Sequence, residues 1–291
     1  MRGRCTRLIC PLLVVLYVVL VPGTNHARNF RAFTFNIRSG SSDDGMNSWK
    51  YRQDDMRTFI MTTKPDVFGV QEAVPEQVKF LSDTLKKEYA CIGVGCEDGK
   101  SEGEHLTIFY RKKIYKLVNN KTFWLSETPD VPSKGWDATG KRICTWASFQ
   151  NIKNGKSFIF ANTHLDHDGE LSRLNSAMLL KQQLGRLDNG IPVIVAGCFN
   201  FTDTSPCHSI MCNRIFPLVD TYKKAKSVMG KKSSYHDFGK IPDEEGKRID
   251  FMFVSPNIKV EKVHIFNSLL FGGGFLSDHH PYIVDLSGKV F

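Results

Sequence analysis

The chain has 291 residues, enough for one large domain or two small ones, and its 41% hydrophobic and 24% charged residues supply a sizeable core and exclude wholesale disorder. Beyond the N-terminus no run is long and apolar enough to span a bilayer. The formal net charge of +9 favours phosphate-bearing or anionic-membrane partners by long-range attraction, and much of it is a solvated face.

Arg2, Arg4 and Arg7 precede the apolar run Leu8 to Val21, which is followed by Pro22, Gly23 and polar residues. This layout predicts a secretory signal peptide over residues 1–27, cut after Gly23 or after Ala27, because the run is shorter than the ~20 residues a membrane span needs. Residues 28–291 then form a single domain, secreted or in the secretory lumen. Losing three arginines leaves 36 Lys and Arg against 30 Asp and Glu, a net +6. The mature chain keeps Cys91, Cys96, Cys144, Cys198, Cys207 and Cys212. An oxidising compartment permits disulfides among them. Cys207 with Cys212 is the preferred local bridge, and Cys144, in an apolar stretch, reads as a buried thiol.

In chain order, Phe30 to Ile37 alternates as a strand, Trp49 to Thr62 reads as a helix, and Val67 to Gln71 is a buried strand capped by Glu72. A helix from Pro75 to Tyr89 has proline in its first turn. Strands at Ala90 to Val94 and Leu106 to Tyr110 flank the polar loop CEDGKSEGEH. Further strands are expected at Val118 to Leu125, Ile143 to Ile152 and Ser157 to Thr163, then an amphipathic helix from Glu170 to Leu187. The Val- and Ile-rich run Ile191 to Gly197 is a fully buried strand that delivers Cys198, Phe199 and Asn200 at its tip. Tyr222 to Lys232 is basic with no assigned element, and its run Lys223 to Lys232 reads by default as a solvated loop, with nucleic acid or anionic lipid as the alternative partner. Ile249 to Val254, Val260 to Phe266 and Pro281 to Leu286 are strands. No repeat or low-complexity linker interrupts this mixed order, so one α/β domain is expected.

Polar residues recur at strand ends: Asn36, Glu72, His164 with Asp166, Asn200 and Asp250, joined by Asp278 and His279 in the loop Leu276 to Pro281. Histidines beside carboxylates, with asparagines and an isolated Glu, suit phosphoester hydrolysis with a hard divalent cation. Carboxylate oxygens hold Mg²⁺, while imidazoles and amides stabilise charge on phosphoryl oxygens.

Seven ordered motifs carry a resemblance over nearly the whole mature chain: FTFNIR at 33–38, DVFGVQEA at 66–73, TIFYRK at 107–112, NTHLDH at 162–167, GCFNFTDTSP at 197–206, RIDFMFVS at 248–255 and LSDHHP at 276–281. The sequence resembles the endonuclease/exonuclease/phosphatase superfamily, and TFWLSETPDVPSKGWDA and RICTWASF look like a secreted or bacterial-type branch of it. The resemblance implies a two-sheet α/β sandwich, deoxyribonuclease I-like, with helices on the outer faces and a cleft at one edge. It implies a Mg²⁺-dependent (or Mn²⁺-dependent) phosphoester hydrolase, most readily a phosphodiesterase, acting on nucleic acid, phospholipid or a small phosphoester. Glu72 would be the principal metal ligand, with Asn36 and Asp278 nearby. His164 would contact the scissile phosphate, oriented by Glu104, and His279 would lie across it, oriented by Asp250. Asn200 would hold a phosphate oxygen or the attacking water, and Tyr110, Arg111 and Asp166 are candidates for substrate contact.

The sequence departs from the family pattern at Cys198, where the GDFN motif has Asp. A thiol near pKa ~8.5 is mostly neutral at pH 7 and prefers soft metals to Mg²⁺. Three readings stand: a weak or silent enzyme that binds a phosphate-bearing ligand or protein partner, a site in which Asp203 or Asp166 supplies the missing charge, or a redox-sensitive or soft-metal ligand. A disulfide from Cys198 to Cys207 would also remove base function. Asn120-Lys121-Thr122 and Asn200-Phe201-Thr202 are glycosylation sequons; the first suits a surface loop, and use of the second would block the cleft. Trp124 and Trp136 fit either a substrate groove or buried packing.

Overall fold

A computed structural model describes residues 29–187, 190–270, 273–287 and 291; the predicted signal peptide lies outside them. The elements follow in order: β1 (Phe30–Asn36), α1 (Trp49–Thr63), β2 (Val67–Ala73), α2 (Pro75–Leu85), β3 (Tyr89–Ile92), β4 (His105–Arg111), β5 (Tyr115–Trp124), β6 (Ile143–Asn151), β7 (Ser157–His164), α3 (Glu170–Gly185), β8 (Val193–Cys198), α4 (Pro206–Met211), β9 (Val219–Asp220), α5 (Thr221–Lys224), β10 (Ser227–Gly230), β11 (Asp250–Val254), β12 (Val260–Ile265) and β13 (Tyr282–Leu286). The helix expected to reach Tyr89 stops at Leu85, because Tyr89 is taken into a strand and its buried hydroxyl donates to Pro65 O at 3.0 Å. The basic stretch after Tyr222 is not a loop throughout, since it contains the end of α5 and the exposed edge strand β10.

Two sheets face each other, ordered β10-β12-β13-β1-β2-β4-β3 and β5-β6-β7-β8-β11-β9. Each has a parallel pair at its centre, β1 with β2 and β7 with β8, flanked by antiparallel partners, and the first has a second parallel pair at its edge, β10 with β12. Parallel neighbours need a long crossover, and α1 and α3 supply them, each packed on the outer face of its own sheet. The two-sheet α/β sandwich expected from the sequence is thus the observed architecture.

Side-chain alternation divides the core into layers. In β8, Ile194 and Ala196 point between the sheets, whereas Val193 and Val195 pack outward against α3 and α4. Phe30, Phe158 and Tyr115 fill the inter-sheet layer with the near-terminal Phe291, which stacks on Phe30 at 4.0 Å. Burial of each such ring contributes about 1.5–3 kcal/mol.

One polar bridge crosses this layer. Asn162 of β7 donates to Val70 O at 2.9 Å and Thr107 O at 3.2 Å and accepts from Gln71 Nε2 at 2.6 Å. Gly69 makes room for it, since a Cβ there would lie 2.6 Å from the Asn162 carboxamide. Among the described residues no helix is long and apolar enough to cross a membrane.

The six cysteines among the described residues are free thiols, so the expected Cys207–Cys212 bridge is not formed. Cys207 sits in the first turn of α4 and Cys212 caps its end. Five helical residues turn the chain by about 500°, which sets the two side chains on different faces. Cys198 and Cys207 are likewise unbridged, and Cys144 is fully buried as expected.

Candidate active site

The inter-sheet residues at one end of the central strands are polar, and they open into a cleft of about 540 Å³. Asn36 ends β1 and His164 ends β7, each continuing the inward-facing alternation of its strand. Cys198 lies beside His164 in the β7–β8 register and opposite Asp250 in the β8–β11 register, so one row runs across three strands.

Glu72 breaks the alternation. By parity with Phe68 and Val70 it should face outward, but the β2–β4 register shifts between Val70 and Ala73 and Glu72 takes a left-handed φ of 61°. The bulge re-aims the carboxylate into the cleft. Left-handed backbone at a non-glycine residue costs about 1–3 kcal/mol and is tolerated where surrounding bonds hold it. Here Glu72 Oε1 accepts from Asn36 Nδ2 at 2.7 Å and Oε2 from Ser39 N at 3.2 Å. Asn200 is likewise left-handed, at φ 52°, and its amide is fixed by a 2.8 Å bond to Leu165 O.

Two loops complete this wall. Arg52, fully buried on α1, donates to the carbonyls of Ile37, Asn47, Arg38 and Leu276. Burial lowers its pKa to about 10. Gln77 of α2 accepts from Gly40 N and donates to Arg38 O. Ser277 donates to Asn36 O and to Asp278 Oδ1, which sets Asp278 at the cleft. Arg38 is clamped by Asp44 at 3.1 Å and stands 3.9 Å from Asp278 Oδ2.

On the opposite wall, Arg142 is the cation that strand-end reasoning overlooked. Its Nε donates to Asp166 Oδ2 at 3.0 Å, and its terminal nitrogens reach His164 Nδ1 at 3.3 Å and His167 Nδ1 at 2.9 Å. A guanidinium and an amide nitrogen can only donate, so Arg142 addresses Nδ1 and Asn200 Nδ2, at 3.2 Å, addresses Nε2, which also lies 4.0 Å from Glu72 Oε1; a neutral ring accepts at one of these two nitrogens. Burial, followed by the charges of Arg142, His279 and His167, holds His164 well below the usual histidine pKa, so the ring is neutral.

Asp166 is buried and bonds Thr139, Asp168 N and Gly169 N as well as Arg142. Burial alone would raise its pKa, yet the Gly169 and Thr139 bonds and Arg142 hold it well below the carboxylate range. It positions Arg142 and does not itself line the cleft.

His279 is the opposite case to His164. Burial disfavours its charge, but Asp250 at 2.7 Å, helped by Asp278 and Glu72, lifts it to about 9, so it is an imidazolium at neutral pH. The neighbouring His280 is a structural residue, accepting from Ser268 N at 3.1 Å and stacked on His236. Because the folded His279 pKa lies above the unfolded value near ~6.5, its contribution to stability is complete below about pH 6.5 and disappears as pH rises through 9. At about 1.36 kcal/mol per unit, the ceiling is on the order of 3 kcal/mol. Thermal melts of metal-free protein should therefore fall between pH 6.5 and 9, and Asp250→Asn should flatten that slope; an unchanged slope would refute the pairing.

The remaining expected residues divide. Glu104 lines the cleft, raised to about 7 by burial and by the charge of Glu72, but the bond at His164 Nδ1 comes from Arg142 rather than from Glu104. Tyr110 and Arg111 lie elsewhere: Tyr110 packs on Phe149 in the core, and Arg111 stands 3.8 Å from Glu88. The reason is direction. β4 runs antiparallel to β2, so its first residues, not its last, reach the cleft. Asp203 does not compensate for Cys198, because it is turned to Lys223 and Arg248. Trp124 is buried with its indole nitrogen on Cys96 O, and neither it nor Trp136 lines the cleft. Tyr235 does, packing on the His279 ring.

The donor set around Glu72 suits a hard divalent cation. Glu72 and Asp278 present carboxylate oxygens, Asn36 orients Glu72, and sulfur lies outside the cleft lining. Cys198 is a poor base, because burial and then the charge of Asp250 raise its thiol well above the ordinary value.

Residues 33–279 match the sequence profile of the Endonuclease/Exonuclease/phosphatase family. Among solved structures, one of that description from Bacteroides vulgatus is 40% identical, covering 89% of this chain and 98% of the other with a TM-score of 0.85. A mannosyl-6-phosphatase from Bacteroides thetaiotaomicron VPI-5482 is 33% identical over 88% of this chain and 99% of its own, with a TM-score of 0.81. The uncharacterized protein L388 of Acanthamoeba polyphaga mimivirus is 28% identical over 213 residues, 67% of this chain and 76% of that one.

Proposed function

This chain belongs to the endonuclease/exonuclease/phosphatase family, whose members are metal-dependent phosphoesterases, and we propose that it is a secreted Mg²⁺-dependent hydrolase of attenuated rate whose substrate is a phosphomonoester of a sugar or similarly small polar alcohol. The observation that carries this reading is the cation-rich cleft, in which Arg38, Arg142, His164 and His279 surround Glu72 and Asp278. A monoester dianion carries more charge than a diester, and four donors on both walls suit it better than a diester backbone. A volume of about 540 Å³ fits a small ligand. The likeness to a mannosyl-6-phosphatase supports the same substrate class. The N-terminal basic and apolar segment supports secretion.

Glu72 and Asp278 would hold the cation, which neutralises charge on the phosphoryl oxygens when bound. The protein's own residues supply the rest. Arg142, fixed by Asp166, offers guanidinium donors to the cleft. His164, kept neutral, presents Nε2 to the cleft beside the Asn200 amide. His279, held protonated by Asp250, stabilises the developing oxyanion or gives a proton to the leaving alkoxide. The deficient step is removal of a proton from the attacking water, which Cys198 performs poorly.

The test uses protein recovered from the medium of expressing cells, whose N-terminus should begin at residue 24 or 28. Phosphate release from mannose 6-phosphate is then compared with 4-nitrophenol release from bis(4-nitrophenyl) phosphate, fragmentation of DNA and RNA and phosphocholine release from sphingomyelin, in Mg²⁺ and in chelator. Monoester hydrolysis that chelator abolishes is the expected result. Diester preference would overturn the substrate class, and retention inside the cell would overturn secretion. The second reading, a silent phosphate-binding protein, is favoured by Cys198 and requires binding of mannose 6-phosphate with no turnover.

A further inference from the structure

Beneath the oxygen-lined cleft lies a second cluster of metal-ligating atoms. Cys198 and Asp250 are cross-strand neighbours in register, so their side chains leave the same face of the sheet. Cys198 Sγ, a carboxylate oxygen of Asp250 and a ring nitrogen of His279 all lie within 4.8 Å of one another. The three residues are 0%, 1% and 4% exposed, and His279 borders the cleft, which gives the cluster an entrance. A second observation points to a ligand: Asp250 Oδ2 bonds His279, but Oδ1 is buried with no hydrogen-bond partner. An unsatisfied buried carboxylate oxygen is costly.

We propose that Cys198, Asp250 and His279 form a Zn²⁺ site, taking one sulfur, one oxygen and one nitrogen ligand with the fourth position toward the cleft, and that its occupancy switches hydrolysis off. Tetrahedral zinc has bonds of about 2.0–2.3 Å to these donors. Ligand separations of about 3.5 Å follow, so the present spread of up to 4.8 Å closes with small side-chain movements.

Binding forms Zn–S, Zn–O and Zn–N bonds. It breaks the Cys198 S–H and His279 Nδ1–H bonds, and two protons leave to solvent for each Zn²⁺ taken up. No electrons move. With His279 drawn onto the metal, the imidazolium that faces the cleft is lost. A thiolate selects against Mg²⁺ and for Zn²⁺, so the two ions divide between the two donor sets. Occupancy stands independently of activity; only the inhibition rests on the hydrolase reading.

Co²⁺ is the probe, because a thiolate ligand gives it a near-ultraviolet charge-transfer band that zinc lacks. Reduced mature protein in excess Mg²⁺ is titrated with Co²⁺, then with Zn²⁺. The expected result is a band saturating at one equivalent, bleached by Zn²⁺, absent in Cys198→Ser and retained in Glu72→Gln, with folding of each variant checked by circular dichroism. If Cys198→Ser does not fold, Cys198→Asp replaces it. Absence of the band, or its survival without Cys198, overturns the site. One equivalent of Zn²⁺ should lower the hydrolysis rate of the wild type at least tenfold and leave Cys198→Asp less affected. A rate indifferent to bound Zn²⁺ overturns the switch. Because the band needs no turnover, loss of the hydrolase reading and loss of the zinc site remain distinguishable.

Discussion

Cys198→Asp should raise the rate of Mg²⁺-dependent phosphoester hydrolysis by about 10²–10⁴, the usual contribution of a positioned general base. Cys198 occupies the end of β8 with its neighbours already in place: His164 beside it, Asp250 opposite it and Asn200 two residues on. Its thiol is kept protonated by burial and by Asp250, so it offers the attacking water no acceptor of useful strength. An aspartate at this position reaches one bond further than the cysteine it replaces. Next to Asp250 its pKa would be raised by the like charge, which moves a carboxylate toward the working pH of a base. The measurement is kcat for phosphate release by both proteins across pH 5 to 9. Equal rates throughout would mean that position 198 does not limit this chain, and a lower rate in the variant would reverse the assignment.

Replacing Glu72 with Gln should have the opposite consequence, a loss of roughly 10³-fold or more, since cation stabilisation of the transition state is worth several kcal/mol and each 1.36 kcal/mol is about a decade. Glutamine keeps the shape of the bulge and can still accept one of the bonds that Asn36 and Ser39 N now give the carboxylate. It removes the charge. Metal-free protein should therefore remain folded, while the rise in melting temperature that Mg²⁺ gives the wild type by binding only the native state should vanish in the variant. Activity lost with an intact Mg²⁺-dependent shift would assign Glu72 to a task other than ligation.

How much of this site could be read from the chain depended on strand direction. Asn36, Glu72, His164 and Asn200 end or follow strands that run toward the cleft, so a polar residue closing an apolar run was the right signal. Arg142 precedes β6, which runs the other way, and only the RICTWASF stretch held a hint of it. The same ignorance of direction placed Tyr110 and Arg111 at the site, although the cleft end of β4 is His105. The exit of Glu72 from its strand alternation was also hidden, because a bulge leaves no mark in a pattern of apolar residues. Asp166 illustrates a subtler failure: residue type suggested substrate contact, whereas its acceptors are all used to hold Thr139, Arg142 and a turn. The strands were legible as apolar runs bounded by polar residues, whereas their division into two sheets followed from the ordered motifs of the resemblance.

Arg52 has a bearing on how the loops of this cleft would respond to the loss of a bound cation. Its guanidinium lies fully buried on the carbonyls of both loops that carry Asn36 and Asp278, and it feels the charges of Asp278 and Glu72. The chain thus carries a resident counter-ion of its own, one that cannot be chelated. Two acidic groups facing one another in a cleft would otherwise push their loops apart whenever the cation left. With Arg52 in place, the loss of a cation from between Glu72 and Asp278 would leave a positive charge behind both, and would not by itself force their loops apart.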